Sequence, residues 1–256
     1  MDEYINNISS DVIISVKDLS VQYDDKIILE NVSFNVNRGE VFVIVGGSGC
    51  GKSTLLRQLI GLESPTTGTI IINGDDLTKS NEKDTIKIMR KNGVLFQFNG
   101  LFASMTLEEN IALILEKYTG LTSKQMKDVI DLKLSLVGLS GFQNYKPAEI
   151  SGGMKKRAAL ARAMALDPEI LFFDEPSSGL DPITAVSLDN LIKELNTSLM
   201  TTMVIVTHDL SSILNISHRI IMLSANIKGI LATGTPDELK NYKENEEVYK
   251  FFNRIL

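Results

Sequence analysis

The nine residues from Gly46 to Thr54 read GGSGCGKST. Gly46, Gly47, Gly49 and Gly51 strip the segment of side chains, Ser48 and Cys50 are small, and Lys52, Ser53 and Thr54 follow. The spacing Gly46-x-x-x-x-Gly51-Lys52-Ser53 is that of a phosphate-binding loop. Such a loop turns backbone N–H groups onto phosphate oxygens, and a Cβ would block the approach or forbid the dihedrals it needs. A helix starting at its end adds unsatisfied donors and partial positive charge. Lys52 would reach the β- and γ-phosphates of a nucleotide, and Ser53 would ligate Mg²⁺. Cys50 reads as a space-filling residue within the loop rather than a functional thiol.

A second group carries acid–base chemistry. In EILFFDEPSSGLDP, Glu169 to Pro182, an apolar strand ends in Asp174-Glu175. The C-terminal edge of a parallel strand is where ligands of α/β proteins bind. Asp174 suits a hydrated Mg²⁺, and Glu175 suits orienting or deprotonating an attacking water. His208, in VTHD, follows another apolar strand and would touch the γ-phosphate and hold that water in line. His218, in NISHR, reads as a surface or packing residue. Ser151-Gly152-Gly153 opens a helix and makes a second anion-binding N-terminus. Taken alone it is an ordinary N-cap. Beside a complete phosphate loop, it would complete the nucleotide pocket of a second copy of the chain.

These residues need a scaffold that brings strand ends together. VFVIV, Val41 to Val45, is a strand buried on both faces, and STLLRQLIGL, Ser53 to Leu62, is the helix after the loop. Residues 12–45 read as short strands and 68–77 as a further strand and turn. The texture over 106–138 is helical, with capping boxes at Thr106-x-x-Glu109 and Thr122-x-x-Gln125. MKKRAALARAMAL, 154–166, is an alanine-rich helix. Strands at 170–174, 203–207 and 219–223 alternate with helices at about 182–198 and 209–217. Alternation of this kind predicts a parallel sheet covered on both faces, interrupted by a helical insert.

A chain of 256 residues suffices for one domain with a subdomain. Its net charge of −6 argues against an obligate nucleic-acid binder. One cysteine allows no internal disulfide and no cysteine-based zinc site, which fits a reducing compartment. The N-terminus MDEYINNISSD is polar and acidic, unlike a secretory signal, and no apolar run approaches the length of a membrane span. Any membrane role is expected to come through a partner, with no direct insertion.

In this order, the motifs resemble the ATP-binding-cassette (ABC) ATPases over residues 12–238. The resemblance implies an α/β fold: a P-loop NTPase with a RecA-like parallel-sheet core, an N-terminal antiparallel β-subdomain, an inserted α-helical subdomain at about 98–152, and a short tail, 239–256. It implies ATP and Mg²⁺, with Tyr23 stacking on adenine, Gly46 to Thr54 cradling phosphate, and Gln97, in LFQF, reaching Mg²⁺ and coupling to a transmembrane partner. Ser53 and Asp174 join Gln97 at the metal; Glu175 and His208 join Lys52 and Gln97 in catalysis. Ile150 to Met154 corresponds to the signature segment, which faces ATP in the opposite subunit through Ser151, Gly152 and Gly153, and Ser178 to Asp181 to the loop that spans the dimer. ISGGM departs from the usual LSGGQ, so Met154 is not counted as a ligand, and Phe98-Asn99 departs from the small polar residues expected after Gln97.

GVLFQFNGLFASMTLEENI and ISGGMKKRAALARAMALDPEILFFDEPSSGLDPITA are similar to the ATPases of phospholipid transporters that work with mammalian-cell-entry (MCE) type proteins. That similarity implies a head-to-tail homodimer, integral-membrane permease subunits, an MCE-type lipid-binding protein and a small accessory subunit. It implies a place on the cytoplasmic face of the inner membrane, held there by the permease, with EVYKFFNRIL packing against a neighbour or accessory subunit. The alternatives are an ABC ATPase serving another substrate and a non-transport regulator of the cell-division type.

Overall fold

The computed structural model describes residues 11–254; nearly all of the polar N-terminal stretch and the last two tail residues, Ile255 and Leu256, lie outside them. Two sheets form. In the first, β1 (Val12–Tyr23) and β2 (Lys26–Asn37) pair antiparallel, and β4 (Thr67–Ile72) and β5 (Asp75–Asp76) extend the sheet in the order β2-β1-β4-β5. In the second, β3 (Val41–Gly46), β6 (Asn92–Leu95), β7 (Ile170–Asp174), β8 (Thr202–Val206), β9 (Arg219–Ser224) and β10 (Gly229–Gly234) run in the order β10-β9-β3-β8-β7-β6. All neighbours in it are parallel except β10, which is antiparallel to β9 at one edge.

Alternation of side chains across this sheet explains its unbroken apolar strands. Val41, Val43, Val45, Leu171, Phe173, Met203 and Ile205 face one apolar cluster, while Phe42, Ile44, Ile170, Phe172, Val204 and Val206 face the other. The first cluster is built with α3 (Leu107–Tyr118), α4 (Ser123–Leu136), α5 (Gly152–Ala163), α6 (Pro182–Leu199) and α7 (Leu210–Ile216). The second is closed by the antiparallel sheet and by α1 (Lys52–Leu59). With both faces covered, neither set of side chains is wasted on solvent. Both predicted capping boxes form, at the starts of α3 and α4.

Several boundaries move. The helix after the glycine loop begins at Lys52 and ends at Leu59, and α5 spans Gly152–Ala163 rather than 154–166. The elements that escape the sequence reading include α2 (Glu82–Met89), β6, β10 and α8 (Pro236–Lys240), the last straddling the expected start of the tail. The tail forms α9 (Glu246–Asn253), whose Val248 and Phe252 are buried in the chain's own core. Those two side chains are therefore not free for a neighbour, as the sequence reading expected of this segment.

One buried carboxylate has incomplete bonding. Asp189 on α6 is 2 % exposed; its Oδ2 accepts from Ser212 Oγ at 2.8 Å and its Oδ1 has no partner. Burial, reinforced by the nearby Asp209 charge and opposed by Ser212 and Lys193, pushes its pKa up to about 6. The proton is held more tightly folded than unfolded. Its contribution to folding is therefore fully present below its ordinary value of 3.8 and is lost as pH rises through about 6. Asp189→Asn keeps an acceptor for Ser212. It is expected to be more stable than the wild type by about 1–3 kcal/mol near neutral pH and to match it near pH ~4, read from urea unfolding at both.

Candidate active site

The C-terminal ends of β3, β7 and β8 lie side by side, because Ile44 pairs with Val206 and Val206 with Asp174. The loop amides extend that pairing: Glu175 N donates to Val206 O at 2.8 Å and Thr207 N to Ile44 O at 3.3 Å. One edge therefore presents the glycine loop, Asp174-Glu175 and His208 together, as the sequence spacing required.

The loop leaves β3 at Gly46, whose φ is +144°; a Cβ there would lie 2.3 Å from Leu223 O and 2.6 Å from Cys50 Sγ. Gly46→Ala is expected to destabilise the fold by about 2–4 kcal/mol, measured by denaturant midpoint. Gly51, at φ +99°, occupies the N-cap of α1. Gly47, Ser48 and Gly49 are exposed, and a Cβ on either glycine would meet nothing within 4 Å, so the cradle is open. Cys50 is buried, in agreement with a filling role. Lys52 folds back over the loop, Nζ donating to Gly46 O at 2.8 Å and Gly47 O at 2.9 Å. Two carbonyl oxygens thus occupy an ammonium placed where phosphate oxygens would compete for it. Ser53 is exposed beside it, and Thr54 faces the phenol of Tyr23.

Tyr23 closes β1 with its ring 42 % exposed, and its hydroxyl donates to the Glu63 carboxylate. That bond, with burial, raises the phenol's pKa. Tyr23, Asp24, Asp25, Lys26, Ile28 and Lys228 border an open cavity, leaving the ring free to receive a flat ligand.

Asp174 and Glu175 emerge next. Burial first, then the Glu175 charge, raises the pKa of Asp174, against the pull of Arg57, Lys156 and Lys52. A carboxylate whose ionisation is opposed by burial and by an adjacent negative charge is a fit for a divalent cation. Asp174, Ser53 and the Gln97 amide offer hard oxygen donors suited to Mg²⁺. Among the described residues no three His, Cys, Asp or Glu side chains cluster as a metal site. Glu175 adopts φ +48°, a left-handed conformation uncommon for a non-glycine residue and often found at functional sites. Its Oε1 lies 2.7 Å from His208 Nδ1. His208 itself is 70 % exposed, against 14 % for Glu175. A cavity of 490 Å³ opens here, lined by Glu175, Ser178, His208 and, from the tail, Phe251 and Arg254. The sequence offered no sign of those two tail residues at this edge.

Gln97 sits on the segment after β6, its Nε2 3.5 Å from Ser178 Oγ. Ser151 caps α5, accepting from Met154 N at 3.2 Å, and Ser151 and Gly152 are exposed. No hydrogen bond among the described residues joins Ser151, Gly152 or Gly153 to the glycine loop of the same chain. Asp181 caps α6, accepting from Ile183 N and Thr184 N at 3.1 Å and from Thr184 Oγ1 at 2.5 Å, which lowers its pKa. Its carboxylate engages its own helix and makes no bond to the glycine loop. His218 Nδ1 accepts from Val41 N at 3.1 Å, at the opposite end of β3. It is an exposed residue that caps the start of β3, which fits the surface or packing role its sequence context indicated.

The comparisons converge on one family. Residues 29–178 match the family model described as ABC transporter. The intermembrane phospholipid transport system ATP-binding protein MlaF of Escherichia coli is 37 % identical over 228 residues, covering 89 % of this chain and 84 % of that protein. A probable ribonucleotide transport ATP-binding protein, mkl of Mycobacterium leprae, is 44 % identical over 200 residues, or 78 % of this chain; the match spans only 58 % of the mycobacterial protein. Among solved structures, a dimeric ATP-binding cassette in a post-hydrolysis state, bound to ADP and Pi, superposes with a TM-score of 0.78 at 31 % identity, covering 87 % of this chain and 98 % of that one. The cbiO1 subunit of a Clostridium perfringens ABC transporter complex superposes with a TM-score of 0.82 at 27 % identity, covering 96 % of each chain.

Proposed function

The chain belongs to the ABC transporter family, and on that premise we propose that it is the ATP-hydrolysing subunit of a membrane transporter that moves phospholipid. The observation that carries the catalytic part is the meeting of Lys52, Asp174, Glu175 and His208 at one sheet edge beside an open glycine cradle.

The chemistry follows from these positions. ATP lies with its phosphates on the loop amides of Gly47 to Ser53 and its adenine against Tyr23. Lys52 exchanges its carbonyl partners for β- and γ-phosphate oxygens. Ser53, Gln97 and Asp174 would hold Mg²⁺, which supplies neutralisation of phosphate charge when bound. Glu175 accepts a proton from the attacking water as its oxygen bonds to the γ-phosphorus and the bond to the β-bridging oxygen breaks. His208, held by Glu175, fixes the direction of that water. Ser151, Gly152 and Gly153 serve the nucleotide of a second copy, with Ser151 and Gly152 exposed at the start of α5. Two chains then close head to tail around two ATP, and loss of the γ-phosphate contacts lets them open.

The membrane partner is reached through a surface. Among the described residues no helix is long and apolar enough to cross a membrane. A groove of 540 Å³ runs between α2 and α3, lined by Ile86, Met89, Phe102, Leu113 and Ile114, with Phe98 beside it 86 % exposed. An apolar groove lined in part by Gly100, three residues past Gln97, suits a permease helix whose movement would then reach the nucleotide through that segment. On this reading the subunit works at the cytoplasmic face of the inner membrane, held there by the permease. Phospholipid is the preferred cargo because the match to MlaF runs nearly end to end in both chains. The higher identity to mkl supports the second reading, a different cargo, but covers a smaller share of either chain.

The test is an affinity pull-down from gently solubilised native membranes, with proteins and lipids identified by mass spectrometry. A multi-span permease, an MCE-type protein and bound phospholipid are expected. A permease with no lipid partner would discard the phospholipid assignment, and absence of any membrane protein would favour a non-transport regulator.

A further inference from the structure

Lys156 lies on α5 five residues past its cap, Ser151, and is 3 % exposed. A lysine so buried normally finds a partner for each donor or gives up its charge. Lys156 Nζ donates to the main-chain carbonyl of Gln97 at 2.6 Å. Burial pulls its pKa down, while the Asp174 and Glu175 carboxylates pull it back up, so its ammonium faces the acidic pair as well as the Gln97 segment. Six residues along the same helix, Arg162 Nη1 donates to Gly100 O at 2.5 Å. Six residues span about 9 Å of helix. One helix thus grips both ends of the segment Gln97–Gly100, and Arg162 and Gly100 also line the apolar groove. The tight turn Asn99 N to Phe96 O at 2.9 Å keeps the gripped segment short.

Resting on the ATPase reading above, we propose that Lys156 is a positioning residue for Gln97. It fixes the main chain that carries the glutamine, so the place of Gln97 in its own site follows the orientation of α5. The N-terminus of that same helix, Ser151 to Gly153, meets the nucleotide of the other copy. Lys156 therefore links the two ATP sites through one rigid element. A charge at this position does what an uncharged chain of equal length cannot: it binds a carbonyl strongly in a dry setting.

The test compares full-length wild type with Lys156→Met, which keeps length and loses the donor, and Lys156→Arg, which keeps the charge. Two readouts are needed. The first is amide hydrogen exchange across Gln97–Gly100 without nucleotide. It is expected to quicken at least about tenfold in Lys156→Met, with the strands β3 and β7 unchanged, and to return close to wild type in Lys156→Arg. The second is steady-state ATP hydrolysis. In Lys156→Met the kcat is expected to fall about tenfold or more with the KM for ATP within about threefold, and Lys156→Arg to recover most of the loss. Exchange and kcat both within about twofold of wild type would overturn the proposal. So would faster exchange spread evenly over the fold, the mark of a general packing role. Should Lys156→Met fail to fold, Lys156→Gln is read by the same two measures. A wild type that neither binds nor hydrolyses ATP would overturn the ATPase reading instead, and the exchange contrast would still decide whether Lys156 holds the segment.

Discussion

Glu175→Gln is expected to bind ATP as tightly as the wild type and to hydrolyse it at least about a hundredfold more slowly. The substitution is nearly isosteric. It leaves the left-handed backbone at residue 175 and its amide bond to Val206 O in place, and an amide still reaches His208. What it removes is the proton acceptor at the point where water must lose a proton, a contribution of roughly 10²–10⁴ in rate. It also removes a negative charge that, after burial, helps to raise the pKa of Asp174. Single-turnover hydrolysis beside equilibrium binding of a fluorescent ATP analogue separates the two effects. Normal turnover in Glu175→Gln would remove the glutamate from the role of base.

The second large effect is expected at Lys52. Its ammonium bridges Gly46 O and Gly47 O, so it is already positioned over the loop before nucleotide arrives. On binding, those neutral acceptors are exchanged for charged phosphate oxygens, a stronger class of bond. Lys52→Ala is expected to weaken ATP binding by about 3 kcal/mol, roughly a hundredfold, measured by titration calorimetry. Lys52 is half-buried at the edge of the cradle rather than in the core, so the fold should keep its denaturant midpoint. Unchanged affinity would refute the cradle.

The parts of this site that were legible in the sequence are those where local chemistry leaves one solution. A loop that must pass under Leu223 O at +144° admits glycine alone, and Gly46 stands there. Asp174 and His208 follow uninterrupted apolar runs, and such runs in an alternating chain are strands of a covered parallel sheet, whose ends share an edge. The capping boxes at Thr106 and Thr122 were legible for the same reason: the pattern is the hydrogen bonding.

Elements defined by their neighbours were not. β6 is four residues long at the sheet edge with only Gly93 and Leu95 buried, too short for any period to register. α2 buries only Ile88, so its sequence, EKDTIKIM, carries a weak apolar stripe in a polar context. The run Lys155-Lys156-Arg157 looks like a solvated basic patch, and only the packing of α5 against the Gln97 segment shows that the middle residue turns inward. Asp181 is named by its place in a motif, and its motif position does not show that its oxygens also cap α6. For the tail, the apolar residues of VYKFF do not say whose core they join; Val248 and Phe252 join their own.

In the proposed mechanism each ATP site is shared by two chains. The most direct measurement is the mass of the full-length Glu175→Gln variant in solution by light scattering, with Mg²⁺ and saturating ATP and then with ADP. A two-chain particle is expected with ATP, reverting to single chains with ADP and failing to form with ATP when Ser151→Arg is added. A particle that binds ATP and keeps a single-chain mass would contradict it.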